Sequence, residues 1–287
     1  MKVILVPVSN RPESKVALQV AAGLAQRIEA NIVGCHLRPH RNRDSDYKSR
    51  GLPLFGGANR KGLDAFDAKS TKSAAVQSAK VFAKVVEDAD FNVVNKPRLG
   101  ATSCATWREY VGSPDRLMGI RGPVADLCVV SRPAAKGHIG RMFLLAALMH
   151  SGRPVLVVPP KLAKVPGRRV AIAWNQSAEV SRVVSACMPI LQTADQVTII
   201  SCGPENRPGP KASQLSVYLR NYGVKAKTVV SRGHNEQVEL MAAYNGSKSD
   251  LLLMGAYSRS RLREIVFGGM TEHMLVNARI PVIMQHS

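Results

Sequence analysis

The chain has 287 residues, of which 45% are hydrophobic and 21% charged, so it is globular and long enough for two domains. Its net charge of +20 is spread over both halves, and aromatic residues make up only 5%. Solvated charged faces explain this excess better than a nucleic-acid surface, because few rings are present to stack on bases. No apolar run approaches the roughly 20 residues that span a bilayer, and no apolar leader precedes the first strand. We therefore expect a cytoplasmic protein without a membrane segment.

The first half alternates apolar strands with helices. Val3–Val8 is a continuous apolar run, typical of a strand buried on both faces of a parallel sheet. A helix follows the turn at 9–14, with apolar residues at helical spacing, and Asn31–Leu37 forms the second strand of a right-handed crossover. Further strands are predicted at 101–110, 126–130 and 155–158, and further helices at 64–88, 111–120 and 141–150.

Residues 38–61 interrupt this pattern with Arg, Asp, Ser, Gly and Pro. Loops of this length are either functional or disordered. The sequence predicts a long loop or lid and leaves its role open.

The second half repeats the plan of the first. Arg169–Trp174 matches the opening strand, and the helix after Ser177 has a clean apolar face, with a kink predicted at Pro189. Strands are predicted at 196–201, 225–230, 250–254 and 280–284, and helices at 213–222 and 236–245. The repeat predicts two tandem α/β domains, each a doubly wound parallel sheet, at 1–160 and 168–287.

A glycine-rich loop near the end of the chain joins a buried strand to a helix. The strand ends at Met254, Gly255 opens the loop, and Gly268 and Gly269 precede the helix. The first N–H groups of a helix have no intrahelical acceptor and can donate to an anion, and the helix dipole favours negative charge at this end. The sequence therefore predicts a phosphate site.

The spacing of this loop is also informative. Gly255, two residues, Ser258, nine residues, Gly268 and Gly269 resemble the G-x2-G-x9-G-(S/T) nucleotide loop of the universal stress protein family. Ser258 stands where the second glycine is usual, and Gly269 where a Ser or Thr is usual. The resemblance covers almost the whole chain as a tandem member, most clearly 168–287. It implies the Rossmann-like, adenine nucleotide alpha hydrolase-like fold and a role in stress response.

Ligands of open parallel sheets bind outside the carboxyl ends of the strands. The candidate nucleotide-binding residues follow the strands or lie in the loop: Ala173, Trp174, Asn175, Val230, Gly255, Ser258, Arg259, Gly268, Gly269, Met270 and Thr271. The resemblance implies an adenosine contact at Asn175, where family members that bind ATP usually carry Asp.

Several candidates have a second interpretation. The glycines serve tight turns as well as phosphate contact, and Thr271 suits the start of a helix. Arg259, Arg261 and Arg263 either meet phosphates or are solvated. In the first half, Ser131–Ala134 replaces the start of the loop, so a structural role is expected there. The resemblance implies an internal pseudo-dimer, with 155–158 against 282–284, and leaves a homodimer and a protein partner open.

Catalytic groups are not evident. The five cysteines and seven histidines show no metal-ligand spacing, and only His234 falls near the expected cleft. We expect a non-enzymatic stress-response protein that binds ATP or another adenine nucleotide, with Mg, and has no essential cofactor. A weak ATPase is one alternative, and a basic module for nucleic acid or an acidic protein partner is the other.

Overall fold

The computed structural model describes residues 1–38, 68–132, 138–203, 205–206, 208–231, 235–256, 269–276 and 279–286. The strands in these ranges are β1 Val3–Pro7, β2 Asn31–Arg38, β3 Asn92–Val93, β4 Cys104–Val111, β5 Leu127–Ser131, β6 Val155–Val158, β7 Arg169–Ala173, β8 Gln196–Cys202, β9 Ala226–Ser231, β10 Leu251–Gly255 and β11 Val282–Gln285. The helices are α1 Pro12–Arg27, α2 Ala68–Glu87, α3 Pro114–Arg121, α4 His138–His150, α5 Ala178–Ala186, α6 Met188–Gln192, α7 Ala212–Arg220, α8 Glu236–Gly246 and α9 Gly269–Val276.

Most predicted elements occur within a few residues of their expected bounds. The short strand β3 was not predicted, and the strand expected from residue 101 begins at Cys104. The kink expected at Pro189 is a full break, because α5 ends before Cys187 and Pro189 lies in the first turn of α6. A proline is tolerated there because the first-turn N–H groups have no intrahelical partner. Apart from Arg38, the loop predicted at 38–61 lies outside the described residues.

All eleven strands belong to one sheet, in the order β3-β4-β2-β1-β5-β6-β11-β10-β7-β8-β9. Neighbours are parallel except β6 and β11, which pair antiparallel with Val282 opposite Val157 and Met284 opposite Val155. This confirms the predicted pairing of the two final strands. We call β1–β6 with their helices the first half, and β7–β11 with theirs the second half. The doubly wound α/β class is confirmed, whereas the domain limits 1–160 and 168–287 stay a prediction.

Helices cover both faces of the sheet. Apolar residues of α1, α2, α5, α6 and α7 pack in one core cluster, and those of α3, α4, α8 and α9 pack in the other. Strand residues alternate between the clusters, so that Leu127 and Val129 face the first while Cys128 and Val130 face the second. Strands covered on both faces must be apolar along their whole length, which explains the continuous apolar runs. None of the helices in the described ranges combines the length and apolar character needed to cross a bilayer.

Candidate functional site

The second half winds in two directions from β7. The chain first moves outward through β8 and β9 and then returns to place β10 on the other side of β7. The carboxyl ends of β7 and β10 therefore flank a topological switch point, which is where open α/β sheets bind ligands. Asn175 follows β7, and Gly255 ends β10. The structure thus brings the two predicted halves of the site to the same edge of the sheet.

Gly255 lies directly beneath the first turn of α5. A Cβ on this residue would lie 2.9 Å from Cβ of Glu179 and 3.0 Å from the backbone N of Val180. The glycine allows the helix to approach the end of the strand closely, and this packing is sufficient to explain its presence. The opposite face of β10 packs in the cluster that contains α9.

Replacing Gly255 by Ala is expected to lower the free energy of unfolding by about 1–3 kcal/mol, because the added methyl group displaces α5. Urea unfolding measures the change. Gly269→Ala is the matched control, since its Cβ would meet only the flexible end of Gln237, at 3.1 Å from Nε2. Unchanged stability of Gly255→Ala would show that packing does not require this glycine.

Asn175 combines an exposed side chain with a fixed backbone. Its Oδ1 accepts a hydrogen bond from the backbone N of Ser177 at 3.2 Å, and the Ser177 hydroxyl caps α5 by accepting from Val180 N at 3.3 Å. Gln176 between them has a φ of +61°. Nδ2 of Asn175 donates to no acceptor in the part of the chain that the structure describes. The arrangement therefore presents an amide donor at the carboxyl end of β7.

Trp174 is buried, with only 3% of its surface exposed. Its indole Nε1 donates to the carbonyl of Pro210 at 2.8 Å, and Gln176 Nε2 donates to the carbonyl of Gly209 at 2.9 Å. A Cβ on Gly209 would overlap the carbonyl oxygen of Gln176. Trp174 therefore packs in the core and holds residues 208–210 over the end of β7.

The remaining described candidates lie at different depths. Ala173 is half-buried at the end of β7, whereas Val230 is 53% exposed on the edge strand β9. Because β9 is two strands away from β7, the two strands are about 10 Å apart. Met270 packs against the core, and Thr271 is buried in the first turn of α9. Ser258, Arg259 and Gly268 lie outside the described residues, as do Arg261, Arg263 and His234.

Carboxylates are frequent at this edge of the sheet, and the sequence reasoning did not include them. Glu179 is buried next to Gly255. Glu205 Oε1 accepts from the backbone N of Ala212 at 2.7 Å, and Glu239 accepts from the Ser231 hydroxyl and from Asn235 N. Burial, together with Glu239 and Glu236, raises the pKa of the Cys202 thiol to about 11. Within the described ranges, no group of three or more His, Cys, Asp or Glu side chains is placed to hold a metal ion.

The first half has an arginine where the second half opens its loop. Arg132 is 93% buried, since only 7% of it is exposed, and its Nη2 donates to the carbonyl of Met274 in the last turn of α9, at 2.7 Å. Burial lowers the pKa of its guanidinium to about 10. A cation at the C-terminal end of a helix is favoured by the helix dipole. The only sequence signal for this contact was a single arginine between a buried strand and Pro133, and the contact agrees with the structural role expected for Ser131–Ala134.

Comparisons with known proteins bear on this geometry. No protein-family model matches the chain. A universal stress protein of Synechocystis is 27% identical over 171 residues, which are 58% of this chain and 56% of that relative, so the match spans about half of its length. A crystal structure of a universal stress protein from Archaeoglobus fulgidus, 14% identical, has a TM-score of 0.70 and covers 99% of this chain and 98% of its own. A putative universal stress protein from Pseudomonas aeruginosa, 13% identical, has a TM-score of 0.53 over 100% and 93%.

The fold is that of a doubly wound α/β protein of the Rossmann-like class, with a topological switch point between β7 and β10. Within that class the chain is similar in sequence to a universal stress protein and similar in fold to solved universal stress proteins, in agreement with the resemblance of its loop spacing.

Proposed function

We propose that this chain is a cytoplasmic, non-catalytic stress-response protein of the universal stress type that binds an adenine nucleotide in its second half. The observation that carries the proposal is the exposed Asn175 amide at the switch point between β7 and β10, beside the capped first turn of α5. Helix N-termini and backbone amides favour phosphate, and an amide side chain suits ribose or base.

The charge at this edge bears on which nucleotide is bound. Glu179, Glu205 and Glu239 lie near the carboxyl ends of the strands, and each additional phosphate charge is repelled by them. Gly269 also lacks the hydroxyl that the family loop usually places there. These two features favour AMP or ADP over ATP, unless Mg²⁺ neutralises the phosphates.

The first experiment is to denature the purified protein and analyse the supernatant for nucleotide, followed by calorimetric titration with AMP, ADP and ATP, with and without Mg²⁺. Asn175→Ala is expected to weaken the preferred nucleotide about tenfold, because one hydrogen bond contributes about 0.5–1.5 kcal/mol. Asn175→Asp keeps the oxygen that accepts from Ser177 N but replaces the Nδ2 donor by a second acceptor, so retained binding would identify a ribose hydroxyl as the partner of this side chain and lost binding an acceptor on the nucleotide.

Ser9→Ala is the matched control, because Ser9 has the position of Asn175 in the first half. Its nucleotide affinity should equal that of the unmodified protein. Absence of both copurified nucleotide and measurable affinity for all three compounds would overturn the proposal. Phosphate release from ATP should stay at the rate of buffer alone, and release that depends on Asn175 would support the ATPase alternative.

A further inference from the structure

The segment that joins the two halves, residues 159–167, lies in a groove along α1. Leu162 and Val165 pack against the core, and a Cβ on Gly23 would overlap the Val165 side chain. Nη2 of Arg27 donates to the carbonyl of Pro166 at 2.8 Å. This segment, which we call the linker, is therefore held by apolar contacts and a hydrogen bond, without regular secondary structure of its own.

A groove of about 670 Å³ lies at the corresponding place along α5. The two halves meet through the antiparallel pairing of β6 with β11. As a result, each groove lies between a helix of one half and the N-terminal ends of the strands of the other half. Pro154 lines the open groove as the residue before β6, and Pro281 precedes β11 in the same way. When the starts of α1 at Pro12 and α5 at Ala178 are aligned, Pro189 in the second half corresponds to Gly23 in the first half. In the described part of the chain, no segment fills this groove as the linker fills its counterpart.

Each groove has an aspartate at the N-terminal ends of the strands that border it. Asp250 accepts from the backbone N of Arg168 and Arg169 at 3.2 and 3.1 Å, and Asp126 accepts in the same way from Lys2 and Val3. The two backbone N–H groups orient the Asp126 carboxylate toward the start of β1, and its negative charge stays in the open groove beside the positive charges of Arg153 and Arg182.

Two arginines distinguish the open groove from the filled one. Arg182 has the position of Val16 of α1, and Arg153 precedes Pro154 where Ile280 precedes Pro281. Arg153 Nη2 donates to the carbonyl of Pro123 at 2.7 Å, and Arg182 Nη2 forms a long ion pair with Glu179 Oε1, at 3.9 Å. A guanidinium has five N–H donors, so both side chains retain donors for a ligand. The open groove therefore carries two guanidinium groups at positions where the other half has aliphatic side chains. Guanidinium groups form strong hydrogen bonds with carboxylates, so a ligand of this groove is expected to be acidic.

We propose that the groove along α5 docks a short acidic segment of a partner protein, which takes the place that the linker takes along α1. Aliphatic side chains of the segment lie against Ala186 and Pro189, and its carboxylates meet Arg153 and Arg182. The volume lies within the roughly 300–1,000 Å³ of known ligand pockets. Docking at this groove is independent of nucleotide binding.

The probe is a fluorescently labelled peptide with the sequence of residues 159–167, carrying Lys161→Glu and Lys164→Glu. Anisotropy titration with the full chain should give saturable binding, and the unmodified linker peptide should bind at least about tenfold more weakly. Arg153→Gln with Arg182→Gln should weaken the acidic peptide about tenfold, because partly exposed ion pairs contribute about 0.2–1 kcal/mol each. Ser185→Trp, which fills the groove from an exposed position, should abolish binding.

The matched control is Arg98→Gln with Arg220→Gln, which removes the same charge at exposed positions that do not line the groove. This variant should bind the acidic peptide as the unmodified protein does. Equal loss in both double variants would show general attraction to a chain of net charge +20 and would overturn the proposal. Binding that does not saturate, or that survives Ser185→Trp, would overturn it as well.

Discussion

Asp250→Ala is expected to lower the free energy of unfolding by about 2–4 kcal/mol, because the partly buried N–H groups of Gly167 and Arg169 lose their acceptor at about 1–3 kcal/mol each, whereas the exposed N–H of Arg168 can turn to water. Oδ1 of Asp250 accepts from the backbone N of Gly167 at 2.8 Å and of Arg169 at 3.1 Å, and Oδ2 accepts from Arg168 N at 3.2 Å. The carboxylate thus fixes the end of the linker and the start of β7. Losing it should loosen the junction between the halves as well as the first strand of the candidate site.

Urea unfolding of three variants measures this role. Asp250→Asn keeps one acceptor oxygen and should cost about 1–2 kcal/mol. Asp195→Ala breaks an exposed ion pair with Arg168, in which the atoms are 3.4 Å apart, and should cost less than about 1 kcal/mol. If Asp250→Ala is no more destabilising than Asp195→Ala, the backbone contacts of Asp250 do not hold the junction.

Trp174→Ala should destabilise the protein by about 3–5 kcal/mol, as expected for truncating a buried aromatic side chain to Ala. The variant loses a residue of the core cluster and the hydrogen bond to the Pro210 carbonyl. Residues 208–210 should then lose their anchor over the end of β7. Trp174→Phe retains most of the ring packing without the N–H donor and should cost about 1–2 kcal/mol.

The control for Trp174 is Val230→Ala, the candidate on the exposed edge strand. Surface changes of this kind usually alter stability by no more than about 0.5 kcal/mol. Chemical denaturation monitored by far-UV circular dichroism, which does not depend on tryptophan fluorescence, compares the free energies of unfolding of the variants. A Trp174→Ala variant as stable as Val230→Ala would show that the packing of Trp174 and its hydrogen bond to Pro210 do not stabilise the fold.

The candidate site was predictable in part. The loop spacing picked out Gly255, and a position just after a predicted strand picked out Asn175, because both signals are local in sequence; the structure places both residues at the same edge of the sheet, and their part in nucleotide binding stays a prediction. The reason for Gly255 was not predictable, since the contact that requires it comes from Glu179 and Val180 of α5, far away along the chain. The same holds for Trp174, which a strand-end position marks as a ligand contact and which burial under residues 208–210 makes part of the core.

The sequence by itself determined the alternation of strands and helices, the twofold repetition and the resemblance to universal stress proteins. These features are encoded in periodic apolar patterns and fixed spacings, which act over a few residues. Only the tertiary structure decided how the halves meet. The single continuous sheet, the cross-half hydrogen bond of Arg132, and the contrast between the filled groove along α1 and the open one along α5 all depend on contacts between distant residues. Such contacts leave no periodic signal, because they are set by which surfaces the β6–β11 pairing brings together.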